Sequence, residues 1–381
     1  MKRLLFVAVL SFISVWVNAQ FTVRLIVTEA ATRKGDDYYL AGDFNKWNPG
    51  DYNFKLKPFG AVRRIYVFKN IPAGKLAFKF TRGSWDRVES TAKGEDLENH
   101  EVEITGDTTF SYAIAGWKDD YPDKPKPNTA TAQVKIIDTA FFVPQLNRYR
   151  RIWIYLPKTY PLTKGKYYPV LYMHDGQNLF NEQTAFAGEW GIDECLDSLQ
   201  QQLKKDCIVV GIDNDGQHRM TEYNPYDNDK FGKAEGDKYA DFVAKILKPY
   251  IDKNYRTMKD PQHTFIAGSS MGGLISLYTL MKYPDVFGSA GVFSPAFWVG
   301  PRIFETAQQM KWKGVHRVFL YAGQKEGDEM VPDTKRMADI LADSKAIDEQ
   351  DIVFPLGQHN ETYWRKVFPA FYTWLMQPVA Q

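Results

Sequence analysis

HTFIAGSSMGGLISLY, residues 263–278, carries an apolar run into a helical pattern through three glycines and two serines. Gly268-Ser269-Ser270-Met271-Gly272 fits G-x-S-x-G, and a strand before it and a helix after it are the context that a nucleophile elbow requires. Small residues suit such a turn because backbones crowd where strand meets helix. Ser270, at the centre, is then lifted above the sheet edge with its hydroxyl exposed, and Ser269 is a spacer.

Working outward, strands and helices alternate from about residue 132 onward. RRIWIYLP, YYPVLYMHD, CIVVGI, HTFIAGS, GSAGVFS, HRVFLYAG and DIVFPLG read as strands. GDKYADFVAKILKPYIDKNY, MGGLISLYTLMKY, a segment around Phe304–Trp312, DTKRMADILADS and YWRKVFPAFYTWLM read as helices. This order implies an α/β class of fold, a mostly parallel sheet with helices on both faces. Residues 20–116 differ. FTVRLIV, DYYLAGDF, RRIYVFK, LAFKFTRG and HEVEI alternate apolar and polar residues between turn formers, which predicts a small antiparallel β-sandwich. Residues 117–131, rich in Pro, Lys and Thr, read as an exposed linker, so the second domain is expected over 132–381.

Residues 1–19 have a basic start at Lys2 and Arg3, an apolar run from Leu4 to Val17 and small residues before a cleavage site near Ala19. This is the pattern of a secretory signal peptide, and it predicts an exported protein, periplasmic or secreted. The run falls short of the ~18 apolar residues of a membrane span. Cys195 lies in a predicted helix and Cys207 opens the next strand. About nine helical residues separate Cys195 from the helix end, roughly 13 Å of rise, against the ~7 Å limit for a disulfide. Two buried thiols are expected.

With 381 residues, 44% hydrophobic, 25% charged and a net charge of +2, the chain is ordinary globular material without a nucleic-acid footprint. No H-E-x-x-H or phosphate loop occurs. Asp227–Lys238 begins like an EF-hand loop but has Phe231 and Lys238 where ligands belong. The motifs therefore imply no metal and no cofactor.

A serine nucleophile needs a base and an orienting acid, in the chain order Ser, acid, His for this fold. Only His316 and His359 follow Ser270. His316 enters a strand, whereas His359 lies in PLGQHNETYW after the last strand, at the correct edge. The acid belongs just past HRVFLYAG, where Glu326 comes first, with Asp328 as the runner-up. Two backbone N–H groups should hold the oxyanion. One comes from Met271 at the helix start, the other from Gln177, which Gly176 lets approach closely. His174 and Asp175 read as structural groups bonding to loop backbone. Trp190, Arg219, Tyr223, Phe297 and Trp298 sit on loops at the carboxyl ends of the strands, the edge where such sheets bind ligands, and are candidate pocket residues.

VLYMHDGQNLF, GEWGIDE, VVGIDND, AGSSMGGLISLY, YAGQKEGDE and GQHNETYWRKVFP resemble, in order from about 132 to 377, an esterase family of α/β-hydrolases. That family includes feruloyl and acetylxylan esterases of carbohydrate esterase family 1, ferric-enterobactin esterases and mycolyltransferase antigens. The resemblance implies Ser270, Glu326 and His359 as a triad, with the Gln177 and Met271 amides as the oxyanion hole. YYLAGDFNKWNP and LAFKFTRGSW are similar to starch- and glycogen-binding modules of families 20 and 48, in which glucose rings stack on tryptophan. On that likeness Trp47 and Lys79 match the binding pattern and Trp85 matches more loosely. Together these imply a serine esterase acting on small or polymeric acylated carbohydrates, such as feruloyl or acetyl esters. Siderophore-ester hydrolysis and acyl transfer are the alternatives in kind. A glycan-binding protein on an inactive hydrolase scaffold is the alternative in class.

Overall fold

The computed structural model describes residues 20–121, 125–186, 188–344 and 346–378. The signal-like segment, 1–19, lies outside the described residues. The chain divides into two compact units, 1–124 and 125–381.

In the first unit, β1 (Gln20–Ala30) carries Val23, Leu25 and Val27 at every second position, all buried, with Arg24 exposed between them. A strand's period of two turns that spacing into an apolar face. The remaining strands are β2 (Tyr39–Gly42), β3 (Lys57–Phe59), β4 (Arg63–Pro72), β5 (Gly74–Thr81), β6 (Glu89–Ser90), β7 (His100–Ile104), β8 (Thr108–Ile114) and β9 (Gly116–Trp117). They form sheets ordered β3-β4-β1-β8, β2-β5-β7 and β6-β9. An apolar cluster includes Leu40, Phe78, Phe80 and Trp117. One pairing departs from the expectation. β1 runs antiparallel to β4 but parallel to β8, so that sheet is mixed. Alternation reveals which face a residue takes and says nothing of strand direction.

The stretch read as a linker contributes to both units. Trp117 pairs with Glu89 and the Tyr121 hydroxyl donates to the Ala92 carbonyl at 2.9 Å. Further on, Lys126 Nζ donates to the Ala185 carbonyl at 2.7 Å.

The second unit is built on an eight-stranded sheet. Its strands are β10 (Val134–Val143), β11 (Arg148–Tyr155), β12 (Val170–His174), β13 (Ile208–Ile212), β14 (Thr264–Ser269), β15 (Ser289–Phe293), β16 (His316–Gly323) and β17 (Ile347–Phe354). The order is β10-β11-β13-β12-β14-β15-β16-β17. The pairs β10–β11 and β11–β13 are antiparallel, and every later neighbour is parallel. The central strands are apolar throughout because both faces are covered. Tyr172, Val210, Ile266, Val292 and Leu320 point to one core. Leu171, Val209, Phe265, Phe293 and Phe319 point to the other.

Helices α1 (Ile192–Leu203) and α8 (Glu361–Leu375) cover the second of these faces. The first is covered by α3 (Gly236–Phe242), α4 (Lys248–Asn254), α5 (Met271–Lys282), α6 (Arg302–Gln309) and α7 (Met330–Ala342), with the short α2 (Arg219–Glu222) at one edge. The helix read over 236–255 runs unbroken to Asn254 but contains a π-bulge. The bulge, Val243–Leu247, joins α3 to α4 just ahead of Pro249, and a proline cannot donate the usual i→i−4 bond. Cys195 and Cys207 are free thiols, Cys207 buried and Cys195 half-buried; burial pushes the Cys195 thiol up to about 12. Among the described residues no helix is long and apolar enough to cross a membrane.

The two-faced core makes a quantitative expectation. Phe319 is fully buried, with its ring against Phe293, Phe371 and Trp374. Phe319→Ala should cost about 3–5 kcal/mol in a urea unfolding titration, the usual range for an emptied aromatic site. A loss below about 1 kcal/mol would mean that this face of the sheet is not a packed core.

Candidate active site

Ser270 follows β14 and caps α5 with φ 58° and ψ −119°, a backbone conformation that costs a non-glycine residue energy. Neighbouring bonds hold it there. Its N–H donates to the Phe293 carbonyl at 2.8 Å, and its own carbonyl accepts from Gly273, Leu274 and Ala296 at 3.1, 3.2 and 3.0 Å. A Cβ on Gly268 would lie 2.9 Å from the Gly272 carbonyl carbon, and one on Gly273 would lie 3.1 Å from the Phe293 oxygen. The turn closes only with glycine at 268. Met271 opens the helix, so its N–H has no partner within the helix.

Glu326 lies just past β16 with its side chain fully buried. Its Oε1 accepts from the Ser294 hydroxyl and the Gly323 N–H, both at 2.8 Å. Its Oε2 meets His359 Nδ1 at 2.8 Å, which leaves Nε2 as the ring nitrogen able to exchange a proton. Trp364 Nε1 donates to Ser294 Oγ at 2.8 Å, and the His359 ring sits edge-on to Trp364 with centroids 5.1 Å apart. Asp328, the runner-up acid, is exposed.

Ser270 and His359 line one cavity of about 730 Å³ together with Gln177, Phe186, Arg219 and Glu361, among others. Gln177 belongs to the tight turn Gly176–Asn178, where a Cβ on Gly176 would meet the β13 backbone at 2.8 Å. Gln177 Oε1 accepts from the Asn214 N–H at 3.2 Å, which orients the turn.

Arg219 lines the cavity but is not free. Its Nε and Nη2 donate to the two oxygens of Asp175 at 2.8 and 2.9 Å, and Asn214 adds a third bond at 2.7 Å. Burial works against the Asp175 charge, yet Arg219 and Asn214 hold its carboxyl below the usual range. Asp175 therefore spends its carboxylate on side chains, where loop backbone was expected. Burial drives His174 down to about 4, a neutral ring whose Nδ1 contacts the Tyr239 hydroxyl at 2.9 Å.

Four expected pocket residues do not line this cavity. Trp190, Tyr223 and Phe297 are buried, Trp190 against Phe293 and Trp364, Tyr223 against His174 and Tyr239, Phe297 against Phe304. Trp298 is exposed, with its ring near Phe231. Rings at strand ends gain more by packing on neighbouring rings than by facing water. Sequence reasoning overlooked Ser294, the first residue after β15 at the same edge, and Phe186, which is 90% exposed at the cavity. It also overlooked the Asn178–Glu361 hydrogen bond at 3.1 Å, beside which burial pushes the Glu361 carboxyl up. In the first unit, Trp85 is exposed, Trp47 is half-buried in a left-handed turn, and Lys79 Nζ donates to the Leu97 carbonyl.

Ser294 links indole, carboxylate and imidazole, and that linkage is testable. Ser294→Ala strands the buried Trp364 N–H and should lower unfolding free energy by about 1–3 kcal/mol. An unchanged urea midpoint would show that the indole finds another partner.

The Esterase family model, described as "Putative esterase", matches residues 144–375, more than half of the chain. YbbA of Bacillus subtilis, itself uncharacterized, is 30% identical over 244 residues, 59% of this chain and 92% of that protein. An endo-1,4-beta-xylanase/feruloyl esterase of Xylanibacter ruminicola is 30% identical over 183 residues, 46% of this chain and 23% of that one. The fold of enterobactin esterase FES from Shigella flexneri superimposes with a TM-score of 0.55 at 16% identity, covering 90% of this chain and 88% of that one. With its helix-flanked sheet and this match, the chain belongs to the Esterase family of carboxylic ester hydrolases.

Proposed function

We propose that the protein is an exported serine esterase acting on acylated carbohydrates through an acyl-enzyme on Ser270. Ser270 Oγ attacks the ester carbonyl while His359 Nε2 takes its proton. Glu326 holds the imidazole through Nδ1, and the Met271 and Gln177 N–H groups receive the oxyanion. The tetrahedral intermediate expels the sugar alkoxide, which leaves with the proton from His359. Water, deprotonated by the same ring, then releases the acid and restores Ser270. The observation that carries this reading is a serine in a strained turn and an imidazole bonded to a buried carboxylate, both open to one cavity.

Two features favour an aryl or short acyl ester of a sugar over a ferric siderophore. Phe186 offers an exposed ring on the cavity wall, suited to stacking an aromatic acyl group. Arg219 is the one Lys or Arg among the described residues lining the cavity, and Asp175 already neutralises it. A polyanionic ferric catecholate would therefore meet no free positive charge. The similarity to a xylanase/feruloyl esterase points the same way. In the first unit, the exposed Trp85 and the half-buried Trp47 are the proposed sugar platform, with Lys79 occupied by the Leu97 carbonyl.

Ser270→Ala should reduce turnover by several orders of magnitude, because triad members act as a unit, whereas Ser269→Ala should be mild. Kinetics on a panel of feruloyl, acetyl and catecholate-siderophore esters should show preference for the first two. Equal losses from both serines, or a preference for the siderophore, would sink the corresponding part of the reading. For the platform, Trp85→Ala should weaken pull-down on an insoluble glycan while leaving kcat on soluble esters intact. Undiminished pull-down would remove Trp85 from that role.

A further inference from the structure

Away from the triad, three carboxylates converge at the start of α1. Asp193 and Glu194 lie in its first turn and Glu189 precedes it. Asp193 is fully buried and Glu189 is 7% exposed. Each carboxylate of this pair spends one oxygen on the segment that enters the second unit. Glu189 Oε2 accepts from Thr129 Oγ1 at 2.9 Å, and Asp193 Oδ2 accepts from the Thr131 N–H at 2.7 Å. Their other oxygens, Glu189 Oε1 and Asp193 Oδ1, are buried without a hydrogen-bond partner, as is Glu194 Oε2. One ligand oxygen from each of the three residues lies within 4.8 Å of the other two.

Helix-dipole stabilisation explains acids in a first turn, but it does not ask for buried, unpartnered oxygens, nor does it reach Glu189. Ionised carboxylates buried this close repel one another and lack solvation. Burial accordingly raises the Asp193 carboxyl to about 6 and pushes Glu189 up as well. Arg365, which acts on Glu189, is itself exposed. Oxygens around a common Ca²⁺ sit about 2.3–2.6 Å from the ion, so three oxygens within 4.8 Å of one another can share one.

We propose that Glu189, Asp193 and Glu194 form a binding site for a hard divalent cation of the Ca²⁺ type. An all-carboxylate donor set favours Ca²⁺, Mg²⁺ or Mn²⁺ over softer metals. The ion would clamp residues 129–131 against the loop that carries Phe186. That loop is already tied to the same segment, since Thr129 Oγ1 accepts from the Glu182 N–H at 2.8 Å and Asn181 Oδ1 accepts from the Thr129 N–H at 3.3 Å. The site is therefore a structural staple for the segment that carries Phe186, independent of which ester is cleaved.

The test uses the whole protein, stripped with a chelator and desalted. Ca²⁺ alone should raise the melting temperature saturably, and Tb³⁺ should show saturable luminescence excited through tryptophan, Trp190 being the sequence neighbour of Glu189. Asp193→Asn and, should that variant not fold, Glu194→Gln should weaken Tb³⁺ binding by at least about tenfold. No response of the stripped protein to either ion overturns the proposal, and so does undiminished Tb³⁺ binding in the variants. A third outcome also overturns it. Stability that rises on acidification through about pH 6, with no effect of Ca²⁺, would mean that the carboxyls are satisfied by shared protons.

Discussion

The close approach of β14 to the first turn of α5 is the constraint on which the site depends. The Gly268 position admits no Cβ because the Gly272 backbone already fills that space. The strand must therefore turn abruptly, and the residue at the corner takes a left-handed φ. Ser270 meets the cost because bonds from its N–H to Phe293 and to its carbonyl from Ala296 tie the corner to β15 and the loop beyond. Strain of order 1–3 kcal/mol at such a residue persists only where the surroundings over-determine it. Here the surroundings are a sheet covered on both faces.

That sheet also aligns the remaining groups. β12, β14, β15 and β16 are parallel neighbours, so the loops after them emerge at one edge. Gln177 follows β12, Ser270 follows β14, Ser294 follows β15 and Glu326 follows β16. His359 comes in after β17, one residue before the cap of α8. The electrostatics follow the same plan. Glu326 is buried yet fully occupied by Ser294, Gly323 and His359, and Asp175 is buried yet occupied by Arg219 and Asn214. Each charge sits where a partner has been brought by a different strand.

Local patterns were legible and side-chain directions at element ends were not. The strand–glycine–serine–helix run, the last histidine in the chain and the first acid after HRVFLYAG are all features of neighbouring residues. Ser270, His359 and Glu326 could therefore be read as a set. Trp190, Tyr223 and Phe297 follow strand ends at the cavity's edge of the sheet, but packing against neighbouring rings turns them inward. Ser294 carried no motif, and its importance comes from Trp364, which lies seventy positions away. The parallel β1–β8 pairing and the π-turn before Pro249 likewise depend on partners and geometry that alternation cannot encode. The Glu189, Asp193 and Glu194 cluster was invisible for a similar reason, since its spacing matches no metal motif and only folding brings the oxygens together.

The central claim is that Ser270 is the nucleophile. The most direct measurement is to label the folded protein with a fluorophosphonate and map the adduct by peptide mass spectrometry. The account predicts a single stoichiometric adduct on Ser270, absent after unfolding the protein before labelling. An adduct on Ser269, or none on the folded protein, would contradict it.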